Sequence, residues 1–100
     1  MSSLIKLTEE AKEDIRQAAE WYNEQKNGLG DLFLHQLNES LISIQRNPGS
    51  FKKIYRQLRQ TAIKKFPYVV LDKTDNNAIL IYCVFYTSRD PKKKLKRFKL

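Results

Sequence analysis

Residues 78–86 read Ala-Ile-Leu-Ile-Tyr-Cys-Val-Phe-Tyr. Nine successive residues carry no charge and are rich in β-branched and aromatic side chains, so both faces of an extended segment would be apolar. A strand of that kind needs cover on both faces, and the run is predicted to be the central strand of a sheet. It is about half the length of a membrane-spanning helix, and no membrane association is expected.

The neighbouring segments build the rest of that sheet. Asp75-Asn76-Asn77 precedes the run and is predicted to be a hairpin turn, because Asn and Asp tolerate positive φ. Tyr68-Val69-Val70-Leu71 is the partner strand, and Pro67 separates it from another over residues 57–65, whose apolar members are Leu58, Ala62 and Ile63. The first half of the chain has a different period. Leu4, Ile5 and Leu7 suit a short strand, after which Thr8 is placed as an N-cap with Glu9 and Glu10 at the positive end of a helix dipole.

Ala11, Ile15, Ala18, Ala19 and Tyr22 recur at helical spacing and predict an amphipathic helix over 9–26, stopped by Asn27-Gly28. Trp21 and Tyr22 cannot both face inward; the stripe turns Tyr22 to the core and leaves Trp21 at the margin. A second helix follows Gly28-Leu29-Gly30, with Leu29, Phe33, Leu37, Leu41 and Ile44 as its buried stripe and Asn47-Pro48-Gly49 as its end. The short connection makes an antiparallel helix hairpin. The predicted order is β-α-α-β-β-β in one domain over residues 1–100. Its class is α+β: an N-terminal strand and a helix hairpin packed on a small antiparallel β-sheet.

Charge divides along the same line. Residues 1–50 carry five Lys/Arg against eight Asp/Glu, a net of −3, whereas residues 51–100 carry fourteen Lys/Arg against Asp72, Asp75 and Asp90, a net of +11. A basic sheet on a helical support points to a polyanion or an acidic protein as partner. The single Cys83 excludes a disulfide framework, and the N-terminus lacks the apolar core of a signal peptide, so a soluble cytoplasmic protein is expected.

His35 and Cys83 have no ligand spacing, so neither a metal nor a cofactor is expected. Glu9, Glu10, Glu13 and Asp14 read as exposed dipole-compensating carboxylates. The basic residues are the candidates for function. Arg56, Arg59, Lys64 and Lys65 lie along or beside the first strand of the basic half, Tyr86 and Arg89 close the central strand, and Lys92 and Lys93 follow. Such a set suits phosphate binding and stabilisation of charge in phosphoryl transfer, with a tyrosine to stack on a base or move a proton. Solvated surface charge is the plainer reading of the same residues.

Six segments in order resemble the RelE/ParE superfamily of type II toxin–antitoxin toxins, most closely its ParE-like, plasmid-stabilisation branch. They are Leu7-Thr8-Glu9-Glu10-Ala11-Lys12-Glu13-Asp14-Ile15, Gly28-Leu29-Gly30-Asp31-Leu32-Phe33, Ile44-Gln45-Arg46-Asn47-Pro48, Leu58-Arg59, Lys64-Lys65-Phe66-Pro67-Tyr68, and Val84-Phe85-Tyr86-Thr87-Ser88-Arg89-Asp90-Pro91. The resemblance implies a toxin neutralised by a cognate antitoxin. It implies one of two activities: inhibition of DNA gyrase, as in ParE-like members, or metal-independent cleavage of mRNA in the ribosomal A site, as in RelE-like members. In the nuclease version Arg59, Tyr86 and Arg89 are the catalytic candidates, and Arg56, Lys64, Lys65, Lys92 and Lys93 the binding ones.

The chain departs from the family pattern at three places. Tyr86 stands where many relatives have His, Lys94 where many have Trp, and Leu71-Asp72 replaces an aromatic or Tyr-Arg pair. The basic half contains neither His nor Glu, so no plain acid–base pair is present there, which favours the gyrase version. A basic interaction module without toxicity is the third alternative.

Overall fold

The first strand, β1 (Leu4–Leu7), gives way to the first helix, α1 (Glu9–Gln25), at Thr8. Thr8 is an N-cap in extended conformation whose Oγ1 accepts a hydrogen bond from the Ala11 N–H at 3.0 Å, satisfying one of the helix's orphan donors. The structure, a computed structural model, describes residues 4–47, 53–55, 58–75 and 78–87.

Helix α2 (Leu29–Arg46) follows directly. Two glycines allow that abrupt reversal. Gly28 has φ +87°, a conformation costly for any residue with a Cβ. Gly30 lies where the helices touch: a Cβ there would fall 2.2 Å from the Ala19 carbonyl oxygen. Its N–H instead donates to Asn23 Oδ1 at 2.7 Å, tying the start of α2 to the end of α1.

Four strands complete the chain: β2 (Lys53–Tyr55), β3 (Leu58–Ala62), β4 (Tyr68–Asp75) and β5 (Ala78–Tyr86). They form with β1 a five-stranded sheet in the order β1-β5-β4-β3-β2. Strand β5 is therefore an interior strand, as expected, with residues 78–81 between β1 and β4 and residues 82–86 paired with β4 alone among the described residues. The α+β layout also follows expectation, with three refinements. The β1–β5 pair is parallel, from Leu4 opposite Ala78 to Leu7 opposite Ile81, so the sheet is mixed. A parallel neighbour requires a long crossover, and the helix hairpin and three strands between β1 and β5 supply it. Strand β3 ends at Ala62 rather than continuing to residue 65, because residues 63–67 turn the chain, with Lys65 at φ +72°. Strand β2 is an addition, three residues long and irregular in its pairing with β3, too short to leave a periodic signal. The expected turn at Asn76-Asn77 lies outside the described residues.

Pairing between β4 and β5 shifts by one residue between Leu71 and Asp72, leaving Tyr82 as the extra residue on β5. Because side chains alternate, that offset exchanges the faces of β5. Ile79 and Ile81 face the helices before it and Val84 after it, joining Ala11, Ala18, Phe33, Leu37, Ile44, Ile63 and Val70 in the main core. Cys83 and Phe85 instead face the opposite side with Val69 and Leu71, and all four are buried. Phe33 anchors an aromatic cluster with Tyr22, Phe66 and Tyr68, with ring centroids 5.6, 5.2 and 5.2 Å from its own. Trp21 is 53% exposed, at the margin as its helical position required.

The close helix contact yields a direct test. Gly30→Ala forces α1 and α2 apart and should lower stability by about 1–3 kcal/mol in chemical denaturation. Leu34→Ala, on the exposed face of the same helix, should change it by less than about 0.5 kcal/mol. Equal midpoints for the two variants would show that the helices do not meet at Gly30.

Candidate functional site

Among the described residues, the basic side chains singled out in the sequence do not all share one surface. Arg59 is 5% exposed, and its guanidinium donates to Asp72 Oδ2 at 2.8 Å and to Thr74 Oγ1. The expectation of Arg59 as an exposed phosphate contact is corrected here. The pairing register sets Arg59 opposite Asp72, and Asp72 opposite Ile81, so alternation turns all three toward the helices. Asp72 is fully buried, and its Oδ1 has no hydrogen-bond partner among the described residues. Burial raises the Asp72 carboxyl above its ordinary value of 3.8, and the bond and charge of Arg59 pull against that shift without cancelling it.

Lys64 and Lys65 are exposed in the β3–β4 turn. Thr87 pins that turn to the end of β5: its N–H and its Oγ1–H both donate to the Pro67 carbonyl, at 2.8 and 3.0 Å. Tyr86, 39% exposed, lies next to this junction, with its ring 5.4 Å from that of Tyr68. The structure thus brings Lys64, Lys65 and Tyr86 to one end of the sheet. Arg59 pairs three residues further along the β3–β4 ladder, about 10 Å away at the rise of a strand. Arg56, Arg89, Lys92 and Lys93 lie outside the described residues.

One carboxylate has a role the sequence did not reveal. Asp14 is half-buried, and its Oδ2 accepts a hydrogen bond from the Val84 N–H at 3.1 Å. Helix α1 here replaces a neighbouring strand on the edge of β5. Asp14, Gln17, Ala18 and Trp21 from α1, with Tyr68 and Tyr86 from the sheet, line a groove of about 240 Å³. The spacing of Asp14, Ala18 and Trp21 along one helical stripe was the available signal, hidden by the reading of Asp14 as part of an acidic first turn. Glu9, Glu10 and Glu13 are exposed as expected.

Among the described residues no group of three His, Cys, Asp or Glu side chains is arranged to hold a metal ion. His35 is exposed, 4.0 Å from Glu39 one turn on. Among the described residues no helix is long and apolar enough to cross a membrane.

Comparison with known proteins agrees with this architecture. Residues 5–91 match the family described as the ParE toxin of the type II toxin–antitoxin system parDE. A structure of the chromosomal ParDE toxin–antitoxin system from P. aeruginosa superimposes with a TM-score of 0.76 at 14% identity, covering 87% of this chain and 98% of that one. The isolated E. coli RelE toxin superimposes with a TM-score of 0.62 at 13% identity, covering 97% and 99%. No curated protein sequence matches the chain.

The buried pair makes two predictions. Arg59→Ala leaves a carboxylate uncompensated in the core and should cost about 3–5 kcal/mol of folding stability. Asp72 holds its proton more tightly folded than unfolded, so the native state binds more protons above pH 3.8, and stability falls as pH rises through the raised native value. Asp72→Asn, which can still accept from Arg59, should remove that slope in urea denaturation measured across pH. An Arg59→Ala variant as stable as wild type, or a slope retained in Asp72→Asn, would contradict this reading.

Proposed function

The chain belongs to the ParE toxin family and is the toxin component of a type II toxin–antitoxin system, and from that membership we propose that it inhibits DNA gyrase without cutting mRNA. Buried Arg59 carries the choice between the two activities. Cleavage by a metal-independent nuclease relies on guanidinium and ammonium groups aimed at the charge that develops on phosphorus. Arg59, the catalytic candidate on β3, instead spends its guanidinium on Asp72 and Thr74 inside the fold. Tyr86 sits at the strand end with Tyr68 beside it, and no His or Glu exists in the basic half to complete a proton relay. Lys64 and Lys65 remain exposed at the same end of the sheet as Tyr86, an arrangement suited to electrostatic contact with a macromolecular target.

A cognate antitoxin is the partner that membership in a type II system implies. The net +11 of residues 51–100 repels itself, and an acidic antitoxin segment that folds on binding would relieve that repulsion.

Purified chain, added to DNA gyrase and relaxed plasmid, should block supercoiling, while a defined mRNA translated on ribosomes stays intact. Lys64→Gln with Lys65→Asn, the latter chosen because Asn tolerates positive φ, should weaken inhibition, more at low than at high salt. A-site cuts in the mRNA with supercoiling undisturbed would overturn the gyrase reading.

A further inference from the structure

A cavity of about 310 Å³ lies between α2 and the end of β3, and it shares no lining residue with the groove beside Trp21. Gln36, Glu39, Ser40 and Ser43 recur along one stripe of α2 and form one wall, while Thr61 and Ala62 of β3 and Lys64 of the following turn form the other. Apart from the Ala62 methyl group, every lining side chain is polar or charged. The buried members of this lining are not all used. Ser40, 7% exposed, donates to the Ala62 carbonyl at 3.3 Å, and its oxygen keeps lone pairs for a further donor. Thr61 is also 7% exposed, and its Oγ1 has no hydrogen-bond partner among the described residues. The register sets Thr61 opposite Val70, a core residue on the helix-covered face. Leaving a buried hydroxyl unmatched is costly, and a valine of the same shape would avoid that cost. The charged members are Glu39 and Lys64, both exposed, one on each wall. Glu39 lies 4.0 Å from His35 on its own helix, and no ion pair joins it to Lys64.

We propose that this cavity binds a small zwitterion, an α-amino acid with a short side chain. Its carboxylate is held by Lys64 and the Thr61 hydroxyl, and its ammonium group by Glu39 and the Ser40 oxygen. A simple anion would be repelled by Glu39 and a simple cation by Lys64, whereas a ligand of both signs satisfies both. The lining offers a large apolar side chain almost nothing to pack against, which sets the bulky hydrophobic amino acids aside. The volume stands at the small end of ligand sites, which run from about 300 to 1,000 Å³. Thr61 carries the assignment. By turning about χ1 to donate to a bound carboxylate, its hydroxyl gains the partner it lacks among the described residues, in a charge-assisted bond. The site does not depend on the gyrase reading and is tested by binding alone.

The purified full-length chain is titrated with glycine, L-serine and L-asparagine by calorimetry, with backbone amide shifts recorded in parallel. Ethanolamine, which lacks the carboxylate, glycolate, which lacks the ammonium group, glycerol and inorganic phosphate are the comparison probes. The expected result is binding of at least one amino acid, with shifts at Gln36–Ser43 and Thr61–Lys64. Each comparison probe should bind at least about tenfold more weakly. Glu39→Gln and Lys64→Gln, at exposed positions, should each weaken the amino acid about tenfold. Thr61→Val keeps the shape and removes the hydroxyl. It should melt at or above the wild-type temperature, because it deletes an unmatched buried group, and yet bind the amino acid at least about fivefold more weakly.

A Thr61→Val variant that binds like wild type would show that the hydroxyl has no part in a site, and would overturn the proposal. Amide shifts confined to other residues would place any binding elsewhere, with the same consequence. Glycolate or phosphate bound as tightly as the amino acid would make the cavity an anion site, ethanolamine bound as tightly a cation site, and glycerol bound as tightly a polyol site. Each of these results would overturn the zwitterion assignment. Neither heat nor shift with any of the three amino acids up to about 10 mM would overturn it outright.

Discussion

Taking a guanidinium and a carboxylate out of water costs several kcal/mol per ion, and their attraction repays it only in good geometry. At Arg59 and Asp72 the chain accepts that cost. The two residues face each other across β3 and β4, on the helix-covered side of the sheet, with Thr74 taking a further hydrogen bond from the guanidinium. Either ion buried alone would be far more costly, so each holds the other in place. The consequence reaches function. A side chain that would serve a nuclease on the surface is committed to the interior, and the positive charge left to meet a partner comes from residues such as Lys64 and Lys65 at the strand ends.

The one-residue offset at Tyr82 complements this pair. It lets one apolar run supply the helix-side core with Ile79, Ile81 and Val84 and the opposite face with Cys83 and Phe85. It also lies just where β1 stops and α1 takes over the edge of β5. Thr8 and Asp14 cap the strand there, and the groove begins beyond them. Core packing and the groove thus share one local origin.

Much of the fold was legible because its signals are local. The helical stripes through Ala18 and Phe33, the Thr8 cap, the Gly28 reversal and the margin position of Trp21 each depend on residues close in sequence. The parallel direction of β1 was not legible, since nothing in Leu4–Leu7 encodes which way its distant neighbour runs. Strand β2 was too short for a period. The site was less legible than the fold. Arg59 looks like any other arginine in a basic half until register places Asp72 opposite it, thirteen positions away. Asp14 looked like a solvated carboxylate until α1 was laid along β5. Tyr86 was the exception, because the end of an apolar run has to emerge at a surface.

The most direct test of the account replaces the pair with apolar residues of similar size, Arg59→Met with Asp72→Leu. Such exchanges are often neutral or stabilising, whereas each single change strands a charge or removes its partner. If Arg59 acts only within the fold, the double variant should melt at or above the wild-type temperature and still block gyrase supercoiling. A double variant that is fully folded yet no longer inhibits would show that Arg59 contacts the target, and would contradict the account.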